Sequence, residues 1–235
     1  MVTPLLSVEG IHSYIGQFHI LEGVSLEVPQ GQVTVLLGRN GAGKTTTLRS
    51  IMGLVPPRSG RILWRGQPIQ GLETHTIARL GIGYVPEDRC VFSGLTVEEN
   101  LRLAERRKGD LARRADLIFE LFPDLKRLIR LQGGQLSGGQ QQMLAIARAL
   151  VADNRLLLID EPTKGLAPVL VESLMATIKR LKAHVTVLLV EQNLVVAAEI
   201  GDGCWILEQG RTVHSARMAD LARDRATIRR YLEAA

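Results

Sequence analysis

The chain of 235 residues is 46% hydrophobic and 23% charged, with a formal net charge of +5, the balance of a globular protein long enough to bury a core without covalent staples. Aromatic residues make up only 4%, a poor supply of stacking platforms for single strands, and the densest basic run, RRKGDLARRAD, is interleaved with acids, so a nucleic-acid partner is not expected. Cys90 and Cys204 are too far apart to form a ligand cluster, the N-terminus lacks the pattern of a signal peptide, and no apolar run approaches the roughly 20 residues of a membrane span.

In chain order, SVEGIHSYI and VSLEV read as antiparallel strands. VTVLL, Val33–Leu37, is a short apolar run ending at Gly38 and reads as a buried strand; helical character follows over 44–54. Ile82–Val85 is a second such strand. From about 88 to 152 the rhythm changes. TVEENLRLAERRKG, LARRADLIFELFP and SGGQQQMLAIARALVAD are successive helical candidates with no strand between them. Thr96 and Glu99 have the spacing of a capping box. Met143, Ala147 and Leu150 are expected to be core. Strands resume at 156–159 and 185–190. Between them, 168–184 begins with Pro168 and repeats apolar Leu170, Leu174, Ile178 and Leu181 along one helix face. CWILEQGRTVHS reads as a hairpin around residues 209–210. This alternation argues an α/β protein with a mixed, mainly parallel sheet, an N-terminal antiparallel part and a three-helix insertion. The expected organisation is a single domain over 5–235. Its core covers about 5–87 and 153–210, the helical part about 88–152, and the C-terminal hairpin and helices about 204–235.

GRNGAGKTT, residues 38–46, carries Gly38, Gly43, Lys44 and Thr45 in the pattern G-x-x-x-x-G-K-[ST], with a strand before and a helix after. Such a P-loop is expected to bind the phosphates of a nucleotide. Glycines let backbone N–H groups wrap phosphate oxygens, and the helix N-terminus adds orphan donors. The loop includes Arg39, Asn40, Gly41, Ala42 and Thr46 beside the motif positions. Lys44 is expected to reach the β- and γ-phosphates and Thr45 to place its hydroxyl on Mg²⁺. RLLLIDE, 155–161, delivers two carboxylates to a strand end, where α/β proteins bind ligands. Asp160 is placed to hold Mg²⁺, and Glu161 to polarise a water for in-line attack.

LSGGQQQ at 136–142, taken with the P-loop and LLLIDEP, resembles the nucleotide-binding subunit of ABC transporters over essentially the whole chain. The resemblance implies a P-loop NTPase core with the ABC helical subdomain, and a head-to-tail pairing with a second ATPase subunit. Leu136, Ser137, Gly138, Gly139 and Gln140 would contact the ATP held by that partner, with Ser137 on its γ-phosphate. It also implies that Tyr14 stacks on adenine and that the helical insertion docks transmembrane permease subunits.

Three positions depart from the family pattern. Glu87 stands where Gln is usual, able to ligate Mg²⁺ or accept from water but adding negative charge near phosphates. Gln192 replaces His; its amide would donate to the γ-phosphate but cannot carry a proton. Ala167 replaces Asp. VPEDR, EPTKGLAP, VEQN and GRNGAGKTTTLRSIMGL resemble one branch, the second of two ATPase subunits in importers of branched-chain amino acids and related small amides or carboxylates. This implies a peripheral subunit at the cytoplasmic face of the inner membrane, with a second ATPase subunit in a homo- or heterodimer and, indirectly, an extracytoplasmic solute-binding protein. Two other readings stand beside it. An ABC ATPase acting on nucleic acid or ribosomes usually carries coiled coils, zinc modules or a second ATPase half, none of which this sequence has. A non-catalytic, nucleotide-gated dimerisation subunit is the other.

Overall fold

The computed structural model describes residues 4–233 and contains two sheets. β1 (Leu6–Ile15), β2 (Phe18–Val28), β4 (Ser59–Trp64) and β5 (Gln67–Pro68) form an antiparallel sheet in the order β2-β1-β4-β5. β3 (Val33–Leu37), β6 (Ile82–Val85), β7 (Leu156–Asp160), β8 (Thr186–Val190), β9 (Gly203–Glu208) and β10 (Arg211–Arg217) form a six-stranded sheet in the order β10-β9-β3-β8-β7-β6. It is parallel except for the β9–β10 hairpin.

β3, β7 and β8 are buried at every residue, which is why they read as unbroken apolar runs rather than alternating ones. Alternate side chains feed two cores. Val33, Val35, Leu37, Leu157, Ile159, Val187 and Leu189 pack on the side of α6 (Gly138–Val151) and α7 (Pro168–Leu181). Leu36, Leu156, Leu158, Leu188 and Val190 pack with α1 (Lys44–Ile51) and the antiparallel sheet. Each such side chain contributes about 1.5–3 kcal/mol of burial. The two sheets are stitched where β2 meets β10. Ser25 N donates to Thr212 Oγ1 (3.0 Å) and the Thr212 hydroxyl donates back to the Ser25 carbonyl (2.7 Å).

Between β6 and β7 lie α3 (Val97–Arg102), α4 (Asp110–Leu121) and α6, joined by the single turn α5 (Pro123–Arg127) and a 3₁₀ turn at Gly133–Gln135. The capping box at α3 forms as expected: Thr96 N donates to Glu99 Oε2 (2.7 Å) and Glu99 N to Thr96 Oγ1 (3.2 Å). The helix stops well short of residue 109, however. The Asp110 carboxylate takes the backbone N–H groups of Arg106 and Arg107 (2.9 and 2.7 Å) and draws that basic stretch into a turn, so local side-chain bonding overrides helical propensity. Met143, Ala147 and Leu150 are buried. On α7, Leu174, Ile178 and Leu181 are buried, with Leu170 half-buried at the start of that face. The remaining helices, α2 (Thr74–Arg79), α8 (Leu194–Ile200), α9 (Met218–Leu221) and α10 (Arg225–Tyr231), are short.

Candidate active site

The loop from β3 to α1 lies at the C-terminal end of the large sheet. Two of its glycines are sterically required. A Cβ on Gly38 would stand 2.4 Å from the Leu207 carbonyl oxygen. One on Gly43, whose φ is +103°, would stand 2.7 Å from Leu21 Cδ2. Gly43 is also the N-cap of α1 and offers no side-chain cap, so the first-turn N–H groups stay open to a ligand. Gly38, Arg39, Asn40, Gly41 and Ala42 line a cavity of about 570 Å³ with Gln192, Leu207, Gln209 and Tyr231. Thr46 is buried within α1.

Lys44 is only 4% exposed. Its ammonium donates to the carbonyls of Gly38 (2.9 Å) and Arg39 (3.1 Å) and lies 3.5 Å from Glu161 Oε1. Burial holds its pKa below the usual lysine range, with Glu161 opposing. Asp160 ends β7 fully buried. It accepts from Thr45 Oγ1 (3.1 Å) and from the Tyr84 hydroxyl (3.3 Å). Burial raises the Asp160 carboxyl while the Thr45 bond pulls the other way. The Tyr84 phenol is pushed up to about 12, by burial first and then by the charge of Asp160. The chain then turns sharply: Glu161 has φ +44° and its N–H bonds to the Val190 carbonyl (3.0 Å). A non-glycine residue in the left-handed region carries a cost of about 1–3 kcal/mol. Here it swings the carboxylate off the strand and onto the loop, where Gln192 donates its amide to Glu161 Oε1.

Glu87, on the loop after β6, lines a second cavity of about 780 Å³ with Thr45, Tyr84 and Asp160, and its Oε1 accepts from Lys164 Nζ (2.6 Å). Lys44, Thr45, Glu87, Asp160, Glu161 and Gln192, expected from sequence to act together, are thus gathered at one edge of the sheet. Ala167 is exposed and N-caps α7. Three residues were not foreseen, Lys164 and the buried pair Thr163 Oγ1–Glu191 Oε1 (2.8 Å). That pair ties the loop after Glu161 to the loop carrying Gln192, and burial raises the Glu191 carboxyl. A bond spanning 28 residues leaves no local pattern to read.

The signature opens α6. Ser137 is the N-cap and shares a capping box with Gln140: Ser137 N donates to Gln140 Oε1 (2.9 Å) and Gln140 N to Ser137 Oγ (3.4 Å). Leu136 is buried beneath it. A Cβ on Gly138 would stand 3.1 Å from Arg89 Nη1, and one on Gly139 2.8 Å from Leu170 Cδ1. The glycines therefore also serve packing within their own chain. None of the residues 136–140 lines the P-loop cavity or the cavity beside Asp160. The signature and the P-loop of one chain do not share a pocket.

Tyr14, expected from sequence to stack on adenine, is not among the residues that line the P-loop cavity. Its ring stacks on His19 with centroids 4.2 Å apart and planes 4° from parallel. The Arg58 guanidinium lies 4.0 Å from the same centroid; at those distances the two must occupy opposite faces, leaving none for a base. The adjacent Ser13 bonds to Ser50 on α1 (2.8 Å), and the β1–β2 register shifts between Ser13 and Tyr14. Ile15 pairs across the hairpin with Phe18, and both are exposed, at 45% and 65%. A base platform is worth about 1–3 kcal/mol, whereas Tyr14→Ala is expected to alter ATP affinity by less than about twofold. Equilibrium nucleotide binding measures this, and a loss of tenfold would put the ring back in contact with the base.

Residues 21–164 match the family described as ABC transporter, a span that contains the P-loop, the signature and the acid pair. The chain is 44% identical over 212 residues to the high-affinity branched-chain amino acid transport ATP-binding protein BraG of Pseudomonas aeruginosa, covering 89% of this chain and 91% of the relative. It is 39% identical over 209 residues to the probable branched-chain amino acid transport ATP-binding protein LivF of Archaeoglobus fulgidus, covering 87% and 89%. Among solved structures, an ATP-binding cassette of an ABC transporter in its ADP conformation superposes with a TM-score of 0.85 at 26% identity, over 97% of this chain and 98% of the other. A dimeric bacterial ABC transporter cassette does so at 0.79 and 26% identity, over 91% and 98%. Built as it is around one phosphate loop, one acid pair and one signature, the chain belongs to the ABC transporter family, as an ATP-binding and ATP-hydrolysing cassette.

Proposed function

We propose that this cassette powers the import of branched-chain amino acids or related small amides or carboxylates. It would sit at the cytoplasmic face of the inner membrane against permease subunits and pair with a second ATPase subunit. The observation that carries the reading is the convergence of Lys44, Asp160, Glu161 and Gln192 at one sheet edge, in a chain whose relatives named above are branched-chain amino acid transport subunits. No described helix is long and apolar enough to cross a membrane, which agrees with a docked role.

The donor set suits Mg²⁺. The Thr45 hydroxyl and the Asp160 carboxylate are hard oxygens side by side, and Glu87 lines the same cavity. Among the described residues no cluster of three or more His, Cys, Asp or Glu forms a protein-only cage; Mg²⁺ characteristically completes its octahedron with phosphate oxygens and water. Held there by Thr45 and Asp160, it would neutralise charge on the β- and γ-phosphates. Lys44 would exchange the Gly38 and Arg39 carbonyls for phosphate oxygens. Glu161, fixed by Gln192, would orient and deprotonate the attacking water. The signature residues Ser137, Gly138 and Gly139, with the α6 N-terminus, would close over the partner's γ-phosphate, so ATP joins the two subunits and hydrolysis releases them.

Reconstitution in vesicles with a permease pair, a sibling ATPase and a solute receptor tests this reading. Hydrolysis is expected to rise when the receptor carries a branched-chain amino acid and to stay unchanged with DNA or RNA. Stimulation by nucleic acid instead would replace the importer by the alternative class, and phosphate release absent under every condition would leave a nucleotide-gated dimerisation device.

A further inference from the structure

Glu87 gives this site a third carboxylate beside Asp160 and Glu161, where the family pattern has a neutral amide. The added charge acts locally, since Glu87 is among the groups raising the Asp160 carboxyl. Left alone it would repel an incoming polyphosphate.

It is not left alone. Lys164, 77 residues further along the chain, donates to Glu87 Oε1 at 2.6 Å and lies 3.5 Å from Glu161 Oε2. Two backbone bonds hold this lysine in place. Lys164 N donates to the Glu161 carbonyl (3.2 Å) and Leu166 N to the Thr163 carbonyl (3.2 Å), while the Thr163 side chain is anchored on buried Glu191. Lys164 thus sits in a rigid turn that begins at the acid pair. The bond to Glu87 is the first cause, and Glu161 the next, of a pKa raised above the usual lysine value. Lys44, Asp160 and Glu161 sum to one negative charge; adding Glu87 and Lys164 leaves that sum unchanged.

We infer that Lys164 is the charge partner that lets this site accept a carboxylate at position 87, screening it from the nucleotide and steadying Glu161 from the side opposite Lys44. Lys164 is a positioning residue, and this role rests on the reading that Glu87, Asp160 and Glu161 face the terminal phosphate. An ordinary surface ion pair is the competing explanation. The side chains of Lys164 and Glu87 are 57% and 44% exposed, so as a stability device the pair contributes almost nothing. The two explanations therefore separate cleanly: one predicts an effect on nucleotide, the other none.

The experiment is a double-mutant cycle on the full chain, read by equilibrium binding of a non-hydrolysable ATP analogue with Mg²⁺ at low ionic strength. Lys164→Ala is expected to weaken binding about 3- to 10-fold, the range for one unscreened charge a few ångströms away in a partly solvated site. Glu87→Gln alone is the reference for the second arm of the cycle. The double variant binds within about twofold of Glu87→Gln, Lys164→Arg preserves binding, and added salt shrinks the Lys164→Ala loss. Thermal midpoints of all four variants stay together. An Ala variant that binds like the parent, or one whose loss persists in full in the Glu87→Gln background, overturns the inference. Lys44→Ala is the control: if it also binds normally, the placement of the phosphate site has failed rather than the role of Lys164.

Discussion

Glu161→Gln is expected to lower steady-state ATP hydrolysis by roughly 10²–10⁴-fold, the worth of a positioned general base, while the nucleotide-bound pair of subunits accumulates. The amide keeps the side-chain volume and the same backbone requirement at φ +44°, so the fold should be preserved. What changes is chemistry. An amide cannot accept a proton, and its loss of charge removes repulsion toward the γ-phosphate. Lys44, 3.5 Å from Glu161 Oε1, is then freer to serve the nucleotide. Binding should therefore tighten as turnover stops. Phosphate release and light scattering with ATP, Mg²⁺ and the sibling ATPase measure both halves. Hydrolysis at the parental rate would remove Glu161 from the role of base, and monomers at saturating nucleotide would remove the shared pocket.

The second large effect is Lys44→Ala, for which ATP affinity is expected to fall about 10- to 100-fold, consistent with the loss of a charge-assisted contact worth about 1.5–3 kcal/mol. The lysine is buried and bound to two carbonyls of its own loop, so its removal deletes both the phosphate's cation and the clasp that shapes the loop. Lys44→Arg should not rescue binding, because a planar guanidinium cannot replace a compact ammonium among those carbonyls. Titration calorimetry with ATP and with ADP checks the result, and equal loss for both nucleotides would put the lysine on the β- rather than the γ-phosphate.

Much of this site could be read from the sequence because its parts are local. Gly38 to Thr45 are contiguous, Asp160 and Glu161 directly end an apolar strand, and the three core strands are legible as apolar runs since both their faces are buried. β4, β5 and α2 left weaker traces. The first three residues of β4 are exposed and β5 has two residues, too short for a period to show. Tyr14 illustrates a different failure. The residue type fitted a base platform, but its ring is flanked by His19 and Arg58, and Arg58 is too far along the chain for a local pattern to show it. Lys164 and Glu191 were invisible for a third reason: their importance lies in bonds to Glu87 and Thr163, far away in sequence.

The close seat of Leu170 on Gly139 has a mechanical corollary. Leu170 belongs to the first turn of α7, the helix that follows the acid pair, and Gly139 to the first turn of α6, which the signature opens. With so little room between them, the first turns of α6 and α7 are bound to shift together within the chain.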